Sequence, residues 1–314
     1  MEKERFNPKK FIKEKVEELK KKIKDKKALI AISGGVDSTV CAVLTKKAIG
    51  DNLVAFFIDD GLMRENEAEE VSKILSQKGI NLEIWNVEEN FFEALKGKID
   101  PEEKRKAFRE VFYKTLSQAI RSYSADFLIQ GTIAVDIIET QKGIKTQHNV
   151  LSQIGINPLH YGLVIIEPLK ELYKNQVRMV AKALGLPKKV YDRKPFPGPG
   201  LATRIIGEVT RDRVEKIRIA TRIVEEELKE KEIFQAFPVL FSDKATGIID
   251  GKRALGDIIA IRAVKSENAL TAEPVKILWK RLYKIRDRIL MEVPGVIKVL
   301  FDITPKPPST IEYI

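Results

Sequence analysis

Five apolar residues, Ala28-Leu29-Ile30-Ala31-Ile32, run directly into Ser33-Gly34-Gly35-Val36-Asp37-Ser38-Thr39. An apolar run ending on Ser-Gly-Gly predicts a buried parallel strand entering a tight turn. Asp37, Ser38 and Thr39, followed by the apolar residues 40–44, predict a helix start and its core face. The turn then offers consecutive backbone N–H groups and the positive end of a helix dipole above the strand, a setting that attracts phosphate. A side chain at position 34 or 35 would hold the anion off or forbid the turn.

This is not the kinase-type phosphate loop, whose second glycine is followed by a lysine that reaches the terminal phosphates. Here an aspartate, Asp37, stands at the helix start. A carboxylate beside polyphosphate repels it unless a divalent cation lies between them, so Asp37 argues for Mg²⁺. An ordinary Asp N-cap in a strand–turn–helix is the competing reading. The seven residues resemble the pyrophosphatase loop of the N-type ATP pyrophosphatases. That resemblance implies splitting of ATP between its α and β phosphates and adenylylation of a carbonyl oxygen.

A chain of 314 residues exceeds one ordinary domain, and 44% hydrophobic content is enough for real cores. No stretch has the length of a membrane span, and the Lys/Glu-rich start has no apolar segment, so no secretory signal is expected. The lone cysteine, Cys41, excludes a disulfide framework and any mechanism needing two thiols, and it fits a cytoplasmic location. The net charge of +11 does not by itself mean nucleic acid, because 45 acidic residues are interspersed among 56 basic ones. The lysines at 20–22 and 26–27 accompany a helix whose apolar stripe is Ile12, Val16, Leu19 and Ile23, so they read as a solvated face.

Further apolar runs at 53–58, 81–85 and 127–132 alternate with helical patterns over about 66–78 and 101–123. Alternation of this kind predicts an α/β fold with a doubly wound parallel sheet. Ligands on such sheets bind beyond the strand C-termini, which gathers residues 33–39, Asp59-Asp60 and Gln130-Gly131-Thr132 around one crevice. Residues 142–160 read as a polar lid. A helix with Tyr173, Val177, Val180 and Leu184 on one face follows a strand at 164–166. Residues 192–203, with three prolines and two glycines, cannot be regular structure and predict the boundary between domains 1–194 and 195–314. Beyond it, a helix near 211–230, strands at 237–241, 246–250, 257–264 and 296–301, and a helix carrying Val275, Leu278, Leu282, Ile285 and Ile289 predict a smaller α+β domain.

Four segments resemble the GMP synthetases. They are Asp100-Pro101-Glu102-Glu103-Lys104-Arg105-Lys106, Gly131-Thr132 with Asp136 and Ile138-Glu139, Phe196-Pro197-Gly198-Pro199-Gly200-Leu201, and Lys306-Pro307-Pro308-Ser309-Thr310-Ile311-Glu312. The resemblance covers the ATP pyrophosphatase domain and the C-terminal dimerisation domain, essentially the whole chain. It implies conversion of xanthosine 5′-monophosphate (XMP) to GMP, with ATP and Mg²⁺ as cofactors. Ser33, Gly34, Gly35, Val36, Asp37, Ser38 and Thr39 would hold the pyrophosphate portion of ATP, with the metal near Asp37. Ile58 and the backbone of Gln130-Gly131 would lie against adenine, and Lys170 would neutralise phosphate charge. Arg105, Lys306 and Glu312 match positions that contact XMP, the basic pair suiting its phosphate and Glu312 its base; Arg262 matches the family region loosely. Adenylyl transfer asks a protein for positioning and charge neutralisation rather than a nucleophile, and this residue inventory agrees.

Each assignment has a plainer rival. Arg105 lies in a Lys/Glu-rich helix where a surface arginine is ordinary, and Pro307-Pro308 could simply stiffen a frayed tail. Function is favoured because the prolines would hold the tail extended across a neighbouring copy in a homodimer. The family shows two adjacent histidines where this chain has Gln147 then His148. One-chain GMP synthetases begin with a glutaminase domain, whereas a single helix precedes residue 28 here. Cys41 reads as a small core residue. The expected partners are therefore a separate glutamine amidotransferase subunit, XMP and ammonia, with no nucleic acid and no membrane; archaeal members of the family are built this way. A tRNA-modifying ATP pyrophosphatase, a non-catalytic nucleotide sensor and a basic nucleic-acid scaffold are the rival readings.

Overall fold

The computed structural model describes residues 6–141, 164–249, 251–267 and 269–314. The chain divides into two compact units. The first comprises residues 1–59, 66–86 and 110–193, the second residues 60–65, 87–109 and 194–314. The expected lid at 142–160, with His148, and also His160, lie outside the described residues.

The first unit is built on five parallel strands, β1 (Ala28–Ala31), β2 (Leu53–Asp59), β3 (Leu82–Asn86), β4 (Phe127–Ile129) and β5 (Val164–Ile166), in the order β3-β2-β1-β4-β5. β1 and β4 are buried almost throughout while β3 is largely exposed, as expected for central and edge strands. Ile32 continues β1 by donating its N–H to the Phe56 carbonyl at 2.8 Å. The sheet is the expected doubly wound α/β arrangement, and the order reverses between β1 and β4.

Helices α1 (Pro8–Ile23) and α2 (Val36–Ile49) pack together. In α1, Leu19 and Ile23 are buried and Ile12 and Val16 half-buried, while Lys20, Lys21 and Lys22 are exposed, the solvated face expected of them. Asn7 caps this helix by accepting from the N–H groups of Lys9 and Lys10, each at 3.1 Å. Helix α3 (Glu67–Ser76) follows β2, and α4 (Glu88–Leu95), unexpected from the sequence, buries Phe91 and Leu95. Helix α5 spans Pro101–Tyr123, α6 spans Ala134–Gln141, α7 spans Lys174–Ala183 and α8 spans Lys188–Tyr191. Val177 and Val180 of α7 are buried as expected. Tyr173 is not on that face: it is the exposed N-cap residue.

In the second unit, β6 (Gln235–Ile249) pairs antiparallel with β7 (Lys252–Lys265). Beside β7 lie β8 (Glu273–Pro274), antiparallel, and β9 (Val296–Asp302), parallel. Two strands were expected within residues 237–250; the structure has one, with an irregularity between Leu240 and Lys244. The polar Ser242-Asp243 that reads as a turn is a bulge in a continuous strand. Helices α9 (Arg211–Glu227) and α10 (Trp279–Glu292) contact each other, and each lies against the sheet. α10 begins later than expected. Val275 donates its N–H to Ala263 of β7, and Leu278 is an exposed N-cap residue, while Leu282, Ile285 and Ile289 form the buried stripe. Phe237, Val239, Val264, Ala272 and Ile311 form a core cluster. The Pro/Gly connector is irregular until a short 3-10 turn over Gly200–Arg204. Gly200 is required there: its φ is +58°, and a Cβ would sit 2.3 Å from the Leu62 carbonyl oxygen.

Candidate active site

In the first unit, the chain leaves β1 at Ile32 and enters α2 at Val36, with Gly35 as N-cap and no side chain capping the helix. Asp37 therefore lies in the first turn and is not the N-cap, which removes the plainer reading of that residue. Gly34 has φ +72°, a left-handed conformation suited to glycine. Ser33 and Ser38 place their hydroxyls 3.2 Å apart, and the Ser38 and Thr39 hydroxyls donate to the Gly35 carbonyl at 3.2 and 2.8 Å. The loop is thus stitched from inside, leaving the N-terminus of α2 open to an anion.

Gly131, just beyond β4, packs against the start of α2: a Cβ there would meet the Ser38 nitrogen at 3.1 Å and the Asp37 carbonyl carbon at 3.2 Å. Ile58 is buried near the end of β2. Residues 33–39 and 130–132 thus lie beyond the C-terminal ends of adjacent strands at the point where the strand order reverses. Asp136, from one of the motifs, accepts from the Ile133 N–H at 3.0 Å, and Thr132 donates to Glu167 at 2.6 Å. Cys41 is buried, and burial, with Asp37 and Glu167 nearby, pushes its thiol well above the usual range. It is a core residue, as expected.

The cation on Asp37 is Lys174, the first residue of α7, whose ammonium donates to Asp37 Oδ2 at 2.5 Å. The sequence pointed to Lys170 instead. Lys170 is exposed in the turn after β5 and makes no side-chain hydrogen bond or ion pair within the described residues. Asp37 Oδ1 is buried with no hydrogen-bond partner among the described residues. No cluster of three or more His, Cys, Asp or Glu side chains capable of holding a metal occurs among the described residues. One free carboxylate oxygen fits Mg²⁺ taken up together with substrate phosphates rather than a resident all-protein metal site.

In the second unit, Arg105, Lys306 and Glu312 line one cavity of about 520 Å³, together with Gln235, Phe234 and Tyr313. Arg105 is partly exposed and ion-paired with Glu102. Lys306 donates to the Ala269 carbonyl at 2.8 Å. Glu312 Oε1 accepts from Gln235 Nε2 at 2.9 Å and lies 3.5 Å from Arg204 Nη2, while Oε2 is buried without a hydrogen-bond partner among the described residues. Arg204, fully buried, lies over the rings of Phe196 and Phe237 with its guanidinium carbon 4.8 and 4.5 Å from their centroids. Neither Gln235 nor Arg204 stood out in the sequence; Arg204 lies three residues past the Pro/Gly motif.

Arg262 is not brought to this cavity. Its guanidinium is fully buried and donates to Ile311 O, Thr310 O, Thr304 O and Asp302 Oδ2 at 2.9, 2.7, 3.0 and 2.6 Å. It anchors the C-terminal segment and has no donor left over for a ligand. That segment folds onto its own unit, with Lys306 and Ala272 bonded reciprocally and Pro307-Pro308 in a turn, rather than extending as expected.

Comparison with known proteins agrees with both halves of the chain. The NAD synthase family matches residues 7–198, and the GMP synthase C-terminal domain family matches residues 221–313. A protein of Methanopyrus kandleri is 49% identical over 98% of this chain and 99% of its own length. One of Archaeoglobus fulgidus is 51% identical over 97% and 98%, and one of Methanocaldococcus jannaschii 50% identical over 98% and 99%. Each of the three is named as one subunit, the second of the enzyme's lettered chains, of a glutamine-hydrolyzing GMP synthase. A solved NH3-dependent NAD synthetase of Campylobacter jejuni aligns at 16% identity with a TM-score of 0.47, covering 62% of this chain and 81% of that one. Identity near one half over almost the full length places the family beyond dispute: this chain belongs to the GMP synthase subunit family that these three proteins represent.

Proposed function

We propose that the chain is the synthetase subunit of a two-subunit GMP synthase, making GMP from XMP, ATP and ammonia supplied by a separate glutaminase subunit. The observation that carries this reading is the cavity of the second unit. Arg105, Lys306 and Glu312, far apart in sequence, line it together: two cations for a phosphate and a carboxylate for the N–H groups of a purine. Use of ATP comes with the family, and relatives named as one subunit of an enzyme imply a second, partner chain.

In the first step the oxygen on purine position two attacks the α-phosphorus of ATP, and the bond to the bridging oxygen of the β-phosphate breaks. Ammonia then adds to the purine carbon and loses a proton. The carbon–oxygen bond breaks, and that oxygen departs with AMP. Neither step takes a nucleophile from the protein, so positioning and charge neutralisation supply the catalysis. The backbone of residues 33–39 would receive the leaving pyrophosphate. Lys174 and Lys170 would balance its charge, and Ile58 and Gly131 would lie beside adenine. Asp37 Oδ1 would hold Mg²⁺. That ion would neutralise the outgoing diphosphate.

A homodimer through the second unit belongs to the same proposal. Leu278, Trp279 and Ile303 are 80%, 70% and 71% exposed beside an apolar groove, more than scattered surface residues account for. The proposed setting is the cytoplasm; no helix among the described residues is long and apolar enough to cross a membrane. The test is pyrophosphate release from ATP and Mg²⁺ with ammonium, comparing XMP with IMP. Release should require XMP and should not occur with glutamine alone. Equal release with IMP would end the proposal.

A further inference from the structure

Arg193 stands beside the phosphate loop with no role in the reading above. Its Nη1 donates to the Gly34 carbonyl oxygen at 2.9 Å, and its Nη2 is ion-paired with Glu67 at the start of α3. Glu67 is 5% exposed, so the carboxylate fixes the guanidinium from the protein side. The fit is close: a Cβ on residue 34 would lie 2.4 Å from Glu67 Oε1 and 3.0 Å from both Arg193 Nη1 and Val71 Cγ2.

The Gly34 carbonyl and the Gly35 N–H belong to one peptide plane, and in a trans peptide they point in opposite directions. Holding the oxygen on the Arg193 side therefore turns the Gly35 N–H toward the other. There its contact is a long one, 3.4 Å to Ser33 Oγ, so the donor is loosely occupied. Two glycines in succession leave this plane free to rotate unless something outside the loop holds it.

We infer that Arg193, held by Glu67, is a positioning residue that locks the Gly34–Gly35 peptide so that the Gly35 N–H faces the diphosphate. This rests on the proposed role of residues 33–39, and it adds a device that preorders a donor before ATP arrives.

The test measures KM for ATP, KM for XMP and inhibition by inorganic pyrophosphate for Arg193→Gln, Arg193→Lys and the double variant Arg193→Gln/Glu67→Gln. The double variant leaves no unpaired buried carboxylate, so it guards against simple misfolding. Arg193→Gln and the double variant should each raise KM for ATP and weaken pyrophosphate inhibition about tenfold, the size of one lost charge-assisted bond. KM for XMP should stay unchanged, and Arg193→Lys should recover part of the loss. Wild-type values in the double variant, or a parallel rise in KM for XMP, would overturn the inference. Gly35→Ala is the control for the loop itself, since the added methyl meets only Ser33 Oγ, at 3.3 Å. Unaltered pyrophosphate inhibition in Gly35→Ala would remove the loop assignment and the inference with it.

Discussion

Lys174 and Asp37 meet across 2.5 Å although 137 residues separate them in the chain. The ammonium occupies one carboxylate oxygen at the phosphate loop and leaves the other, Oδ1, buried without a partner among the described residues. The pair thus sets a cation beside the loop and reserves one oxygen.

Asp37→Ala should reduce pyrophosphate release at least about a hundredfold, the scale of losing electrostatic stabilisation in a displacement step. Its melting temperature should change little. Lys174→Ala should slow the same step by about tenfold or more, while leaving KM for XMP unchanged. Steady-state kinetics with Mg²⁺ titration would check both. Normal rates for Asp37→Ala would remove the metal role assigned to this carboxylate.

Arg105→Ala and Lys306→Ala should each raise KM for XMP about tenfold, as expected for losing one charged phosphate contact. Neither should alter KM for ATP. Glu312→Gln should weaken XMP binding as well, because a neutral amide replaces an anionic acceptor. Calorimetric titration of the variants with XMP alone separates these effects from turnover.

The phosphate loop was legible in the sequence because strand, glycine turn and helix start are contiguous and act through the backbone. Arg105, Lys306 and Glu312 came from family resemblance; spacing alone would not have joined them. Lys174 and Arg193 were not legible, since their roles depend on where chain ends land after folding. Arg262 was misjudged for the same reason: an arginine buried among carbonyls looks, in one dimension, like an arginine meant for a ligand. Likewise the break at Ser242-Asp243 reads as a turn because a bulge and a turn use the same polar residues, and only pairing with β7 distinguishes them.

Lys104 carries a pH dependence. Burial first, and then the Arg213 guanidinium, lower its ammonium to about 8 from the usual 10.5, with Asp100 opposing, while it donates to the Ile205 carbonyl at 2.7 Å. A lysine with a depressed folded value binds its proton more weakly in the folded chain than in the unfolded one. Its contribution to stability therefore grows as pH rises through about 8 toward 10.5. Relative to Lys104→Met, the wild type should gain up to about 3 kcal/mol across that window. Urea unfolding of both proteins at several pH values checks the sign; a relative loss on going alkaline would contradict it.

The transfer of AMP to a purine oxygen is the central claim, and it leaves a chemical record. XMP carrying heavy oxygen at purine position two, turned over with unlabelled ATP and ammonium, should yield AMP bearing that label in its phosphate by mass spectrometry. Unlabelled AMP formed alongside GMP would contradict the account.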